Sequence, residues 1–530
     1  MTDKYIVAHD LGTSSNKAVL VSVFGNVIGV SKQSYPIYHP NPGFAEQDPE
    51  DWWCAICTTT RDVIKRTGVN PEDVVGLTFS AQMQGLVAVD HKGQPLMRGI
   101  TWLDSRGSEI IHKTLWKPPR ILGYNIFNLL KFLRFTGGSP GQAGKDIIGK
   151  LLWIKENLPD VFEQTHKFLD IKDYLIHRLT GNFTTSVDIA VVWWLCDTRN
   201  NRNQWHPGLC KLAGVTPEKL AKIDLSNAIA GKINPSAASE IGLAPGTSVI
   251  NGAGDLSSAG IGSGAIHEGE LHISIGTSGW VAGHFSKRKI DIPHYTGCIG
   301  SAHPEQLYMG MAHQETAGAC LEWIRKLLIN SDTTSDADDD ADYMFKVFDE
   351  MVAKVPAGAD GMVFTPWLFG ERCPLDDDYV RSGFHNLSLR HTQAHLLRAV
   401  FEGIAFNTRW AMNTLENLYQ NVKELSIIGG GAKSAIWCQI MADVMDRTIH
   451  QIEHPQLAGA KGMALLASVA LGFIPTFDDI KTYIQIKQTY HPNPEHRALY
   501  DRLFQEFKNI YRQNKTWYKR MNKNTGTQNE

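Results

Sequence analysis

No stretch of this chain is long and apolar enough to cross a bilayer, so membrane spanning is excluded from its expected roles. The first residues, Met1-Thr-Asp-Lys-Tyr-Ile-Val, lack a basic run leading into an apolar core and a cleavage site. A cytoplasmic location is therefore expected. An excess of one charge is missing too: 52 Lys plus Arg face 55 Asp plus Glu, a net −3, which argues against a nucleic-acid surface. Eight cysteines scattered over 530 residues form no disulfide framework. Cys54 and Cys57 make one CxxC, but zinc would need a second ligand pair. We read them as two half-buried positions of one helix. His391 and His395 form an HxxxH without the Glu of a metalloprotease, and read as one face of a helix. A G-x-x-x-x-G-K-S/T phosphate loop is absent. The acidic run Asp336–Asp342 lacks the glycine of a calcium loop and reads as solvated.

What is present is an α/β pattern. Hydrophobic residues are 43% and charged residues 20%, an ordinary globular composition, and the length suits two large domains. Tyr5–Asp10, Lys17–Val23 and Asn26–Val30 alternate as strands joined by short turns, predicting a meander. A helix is expected over Pro49–Thr67, then a buried strand from Val74 to Phe79, with strands and helices alternating onward. Residues 114–149 contain Pro118-Pro119 and Gly137-Gly-Ser-Pro-Gly141 and read as an insertion. The residues from Asn514 onward read as a polar, frayed tail.

Three segments could carry phosphate chemistry. Gly12-Thr13-Ser14-Ser15 is a small turn whose N–H and hydroxyl groups can meet phosphate oxygens, with Lys17 as a nearby cation. Asp10 would repel phosphate unless a Mg²⁺ lay between. A second Gly-Thr-Ser occurs at Gly276-Thr277-Ser278, again between two apolar runs, which points to two lobes of related topology clamping one ligand. Gly429-Gly430-Gly431 lies between the strand Leu425–Ile428 and a helix expected over Ala432–Met445, a place where nucleotide meets backbone. Its sixth position is Ser434 rather than Gly, against a dinucleotide fingerprint. Thr247–Asp255 is a strand ending in Gly252 and Gly254, which leave room beside the Asp255 carboxylate. That carboxylate reads either as a helix cap or as a proton acceptor for an alcohol.

Taken in order, these segments resemble the FGGY family of carbohydrate kinases, and its xylulokinase branch most, from Ile6 to about Gly472. The matching blocks are His9–Ser14, Glu46–Trp53, Ser80–Gly85, Trp102-Leu-Asp104-Ser-Arg106, Lys172-Asp-Tyr-Leu, Asp188, Gly252–Asp255, Ile275–Gly279, Leu368–Arg372 and Gly429–Ala432. The resemblance implies a two-domain, hexokinase/actin-like (ribonuclease H-like) α/β fold with a deep interdomain cleft. It implies residues 1–252 as the sugar- and phosphate-binding domain, 253–513 as the nucleotide-binding domain and 514–530 as tail. Asp255 would be the general base and Asp10 would hold Mg²⁺ through water. Thr13, Ser14, Lys17, Gly276, Thr277, Gly318, Gly430, Gly431 and Ala435 would bind ATP. Gln82, Met83, Gln84, Trp102 and Asp104, with Asp255, would bind a small sugar or polyol, D-xylulose above others; neither nucleic acid nor membrane is expected as a partner, and a homodimer is allowed. Three positions depart from the family: Gln84 replaces His, Leu256 replaces Asn, and Asn386 replaces Gly. The first two leave another pentulose, a polyol or a sugar acid open as substrate. A competing class is an ATP-driven binding protein on the same fold.

Overall fold

The alternation near the start becomes three antiparallel strands, Tyr5–Leu11, Ser15–Ser22 and Val27–Ser34. In this computed structural model residues 3–199, 203–291, 293–305, 307–328, 346–419 and 422–523 are described; the acidic run Asp336–Asp342 lies outside them. Val74–Ala81 adds to the other side of Tyr5–Leu11 in parallel, Ser248–Ile250 follows it in parallel, and Ile229–Lys232 closes that edge antiparallel. The second sheet repeats this order. Leu271–Ile275 and Gly279–Phe285 form the hairpin and Tyr308–Gln314 its third strand. On the far side come Glu424–Ile428 and Thr448–Ile452, both parallel, then Ile486–Tyr490, antiparallel. The second sheet also carries Thr296–Gly300 outside Tyr308–Gln314. Two sheets sharing six strands and five pairings in the same senses are a duplicated α/β unit, and the two Gly-Thr-Ser turns sit at the same corner of each. This is the two-domain, actin-like architecture.

The helix Pro49–Thr67 has the expected bounds. Asp48 caps it by accepting from the Glu50 N–H, Pro49 opens it, and Gly68 ends it at φ 68°, where an L side chain would be strained. Its inner face buries Trp52, Ile56 and Val63 on the first sheet; Cys57 is buried and Cys54 exposed. Asn386 takes φ 63°, the left-handed backbone its family glycine would allow, and its side chain donates to Gly361 O at 3.0 Å.

Several expectations need correcting. Ala253–Gly254 pairs with Ser80–Ala81, so these residues complete the first sheet rather than open the second domain. The helix Ala458–Ala470, far along the chain, also packs on the first sheet, with Ala460, Ala464 and Ala467 against Ile6, Ala8, Val19 and Val21. The supposed tail from Asn514 continues the helix Arg497–Asn522, and Tyr511 and Tyr518 are buried in the second core. His391 precedes the helix Gln393–Leu418 instead of sharing a face with His395, which caps that helix with Thr392. The segment 114–149 holds a small strand pair, the helix Ile126–Thr136 and the start of Ile147–Asn157, and anchors through Trp116, Phe132, Ile147 and Ile148. Among the described residues no helix is long and apolar enough to cross a membrane.

Candidate active site

Ligands of open α/β sheets bind beyond the carboxyl ends of parallel strands. Here Tyr5–Leu11, Val74–Ala81 and Ala253–Gly254 end side by side, with Asp10 level with Ser80 and Gly254 level with Ala81. The register therefore gathers Asp10, Gln82 and Asp255. Asp255 is the first residue of the helix Asp255–Gly262, with Gly254 as its cap position, so a negative charge meets the positive end of a helix. Its Oδ1 accepts from the Leu256 N–H at 2.8 Å. Asp255 is exposed to water, although the strand and helix it joins pack closely around it. That enclosure is the largest cause lifting its carboxyl to about 7, with the charges of Asp10 and Asp188 adding to it. Asp188 is fully buried and accepts the Gly254 N–H at 2.7 Å, so it fixes the residue before Asp255 instead of facing a ligand.

The two Gly-Thr-Ser turns are built alike. Gly12 N–H closes on Ser15 O at 3.0 Å and Gly276 N–H on Ser278 O at 3.0 Å. Their carbonyls are committed inward. Gly12 O accepts from Tyr35 Oη and from Gln82 Nε2, and Thr13 O accepts from Gln47 Nε2 at 2.7 Å. Gly276 O accepts from Gly318 N–H at 2.8 Å, and Thr277 O from the Ala317 and Ala319 N–H groups. Occupied acceptors turn the donor side of each turn outward, which suits phosphate oxygens. Ser14 and Thr277 are exposed to the cleft. Lys17 lies 3.5 Å from Asp10 in a partly exposed pair, an interaction of modest strength.

Some expected residues act one step back. A Cβ on Gly318 would lie 2.5 Å from Gly276 O, so this glycine lets the helix Gly318–Leu328 abut the second turn. Gly431 is buried against Ile275 and Trp437, whereas Gly430 borders open space. The three glycines lead into a single turn, Gly430–Lys433, and the helix begins only at Ala435, capped by the Ser434 hydroxyl. Gly430 and exposed Ala435 therefore border open space at the end of this strand. Asp104 is fully buried: it accepts the backbone N–H, Nε and Nη2 of Arg106 and the Ala45 N–H at 2.7 Å, so it braces the lobe and does not reach the cleft. Trp102 donates Nε1 to Thr13 Oγ1 at 2.9 Å, which ties it to the first Gly-Thr-Ser turn. Leu256 is buried. It packs with Met83, Trp280 and Met309, an apolar seam between the lobes.

On the sugar side, Gln82 is buried and donates to Gln47 Oε1 at 3.1 Å, while its own Oε1 has no partner within the protein. Gln84 sits at φ 62°, its carbonyl accepting from Lys150 Nζ at 2.6 Å and its Nε2 donating to Asp146 Oδ1 at 3.4 Å. Sequence reasoning missed Asp146 and Lys150. A signal existed for Lys150, a lone cation inside the apolar run Ile147-Ile-Gly-Lys-Leu-Leu-Trp-Ile.

Comparison with known proteins agrees with this geometry. The profile of the FGGY family of carbohydrate kinases, N-terminal domain, matches residues 5–262, and that of the C-terminal domain matches 271–471. A xylulose kinase of Staphylococcus epidermidis is 29% identical over 523 residues, covering 97% of this chain and 98% of its own. Two crystal structures from Lactobacillus acidophilus superpose over 98% of this chain and all of theirs at 26% identity. They are a ligand-bound xylulose kinase, at a TM-score of 0.84, and a gluconate kinase, at 0.83. With two matched domains and a duplicated sheet facing one cleft, this chain belongs to the FGGY family of carbohydrate kinases and is an ATP-dependent sugar kinase.

Proposed function

We propose that the chain is xylulokinase-like and transfers the γ-phosphate of ATP to a hydroxyl of a ketopentose, D-xylulose being the leading substrate. The observation carrying this reading is the placement of Asp255 beside Gln82–Gln84, facing two donor-bearing turns. The sugar hydroxyl would give its proton to Asp255 while its oxygen bonds to the γ-phosphorus and the bond to the β-phosphate oxygen breaks, releasing ADP. Thr13, Ser14, Lys17, Gly276 and Thr277 would hold the phosphates, and Gly430 with Ala435 would border the adenosine. Gly318 and Gly431 act through their neighbours.

The residues present fit a magnesium ion bound largely through water. Asp10 supplies one carboxylate, and a Cβ on Gly459 would lie 3.0 Å from the Ser80 hydroxyl and 3.9 Å from Asp10 Oδ1; that hydroxyl is buried without a protein partner. When bound, Mg²⁺ supplies neutralisation of phosphate charge. The domain division we propose runs after about residue 262, with the helix Ala458–Ala470 returning to the first domain.

The test is ADP release with ATP·Mg²⁺ over pentuloses, hexuloses, polyols and sugar acids, each against a blank without sugar. D-Xylulose is expected to give the highest kcat/KM. Release no faster than the blank with every compound would favour an ATP-driven binding protein. The similarity to a gluconate kinase makes a sugar acid the second reading.

Two further outcomes follow from the site. A base must be ionised to accept a proton, and the Asp255 carboxyl is lifted to about 7. Log kcat/KM for the sugar is therefore expected to rise with slope 1 up to about pH 7 and then level. A flat profile down to pH 5 would dissociate Asp255 from the proton transfer. Thr277→Ala removes one hydroxyl donor to a charged phosphate, and KM for ATP should rise about tenfold or more, with the sugar KM little changed; an unchanged ATP KM would take Thr277 out of the phosphate site.

A further inference from the structure

The segment 114–149 ends inside the helix Ile147–Asn157, whose first turn reaches Gln84. Gln84 holds φ 62°, a left-handed backbone that a residue with a Cβ adopts only when its surroundings impose it. Two neighbours impose it here. Lys150, fully buried, donates from Nζ to Gln84 O at 2.6 Å. Gly85, the next residue, is wedged against Ile171: a Cβ on it would lie 2.4 Å from Ile171 Cγ1. Burial draws the Lys150 ammonium down to about 8, while Asp104, Asp146 and Asp170 hold it up. Charged or neutral, Nζ remains a donor, so the grip on the Gln84 carbonyl does not depend on titration.

The start of that helix is itself placed by backbone on backbone. Gly107, Gly144 and Gly149 meet there: a Cβ on Gly149 would lie 2.8 Å from Gly144 O, and one on Gly107 would lie 2.6 Å from Gly149 C. Side chains at these positions would push the helix Ile147–Asn157 away from Ser108–Thr114 and draw Nζ off the carbonyl. We infer that Lys150 is a positioning residue: it holds the Gln84 backbone left-handed and so sets how Gln84 meets the sugar. This rests on the sugar-kinase reading of the same site and adds to it a requirement from a buried side chain outside the cleft.

The test is a double-mutant cycle read on kcat/KM for the sugar that wild type turns over best, expected to be D-xylulose, with KM for ATP measured in each variant. Lys150→Met removes the donor and keeps the length of the stem. It is expected to lower kcat/KM for the sugar at least about tenfold, since a small misplacement of a substrate contact costs up to about 10²-fold. KM for ATP should stay within about twofold. Gln84→Gly loses the side chain but takes a left-handed backbone freely, so Lys150→Met added to Gln84→Gly should lower kcat/KM by less than about threefold. A lysine that only supports the fold would cost the same factor in both backgrounds, and that result overturns the inference. Should a thermal melt show Lys150→Met unfolded, Gly149→Ala takes its place at both corners of the cycle, because it displaces the helix start and keeps the lysine; the same coupling is expected. Unchanged kcat/KM for the sugar in a folded variant overturns the inference and leaves the kinase reading intact. Release no faster than the blank from wild type with every compound overturns the kinase reading, and this inference with it.

Discussion

Asp255→Asn is expected to lower kcat for sugar phosphorylation by about 10²–10⁴-fold, the range a positioned general base contributes, while ATP binding stays within about threefold. The amide keeps the volume of the carboxylate, and its oxygen can still accept the Leu256 N–H that orients the side chain at 2.8 Å. What it loses is the ability to take a proton. The residual activity should also lose the limb below pH 7, because the group lifted to about 7 is gone. Nucleotide affinity measured by calorimetry separates this from damage to the phosphate turns, which are held by Tyr35, Gln47 and Gly318 rather than by Asp255. Turnover within fivefold of wild type would place the base elsewhere.

The contrast between what the residues foretold and what they hid follows from interaction range. The meander, the helix Pro49–Thr67 and both Gly-Thr-Ser turns were legible because local signals decide them: alternation, a cap with proline, and small turn residues. The repeated Gly-Thr-Ser proved to mark a repeat of whole sheets, since each turn joins the same pair of strands. Asp104 was misjudged because its neighbour Arg106 could have faced a ligand as readily as it faces Asp104; only packing settles which. Likewise, Leu256 looked like a lost hydrogen bond, whereas its partners Met83 and Met309 come from opposite lobes far apart in sequence. The end of the chain was hidden by composition. Leu503, Phe504, Phe507, Tyr511 and Tyr518 keep a helical stripe that charged neighbours obscure. Helix Ala458–Ala470 gave no sign that it serves the first sheet, because an alanine-rich face fits either lobe.

That helix carries the second large expectation. Between the lobes it crosses Asp255–Gly262, the helix that opens with the proposed base, and the crossing point is glycine on glycine. A Cβ on Gly262 would lie 1.7 Å from Ala458 O, and one on Gly462 would lie 2.5 Å from both Gly262 N and Ser258 O. These neighbours are backbone on both sides, so no rotamer change can relieve them. Gly262→Ala must part the helices or bend one, at a cost of about 1–3 kcal/mol or more. The cost cannot be offset by the better helix propensity of alanine, about 1 kcal/mol. Unfolding entropy grows with length, so in a chain of 530 residues each kcal/mol moves Tm by only about 1 °C, and a fall of about 1–3 °C is expected by calorimetry. Activity should fall by more than stability explains, because Asp255 begins the helix that is displaced and the apolar seam around Leu256 moves with it. Gly472→Ala is the control: that glycine has φ 79° but nothing near its missing Cβ. It should cost only local backbone strain and leave kcat within about twofold at a temperature where the protein is folded. Equal loss of activity in the two variants would separate the glycine crossing from the positioning of the base.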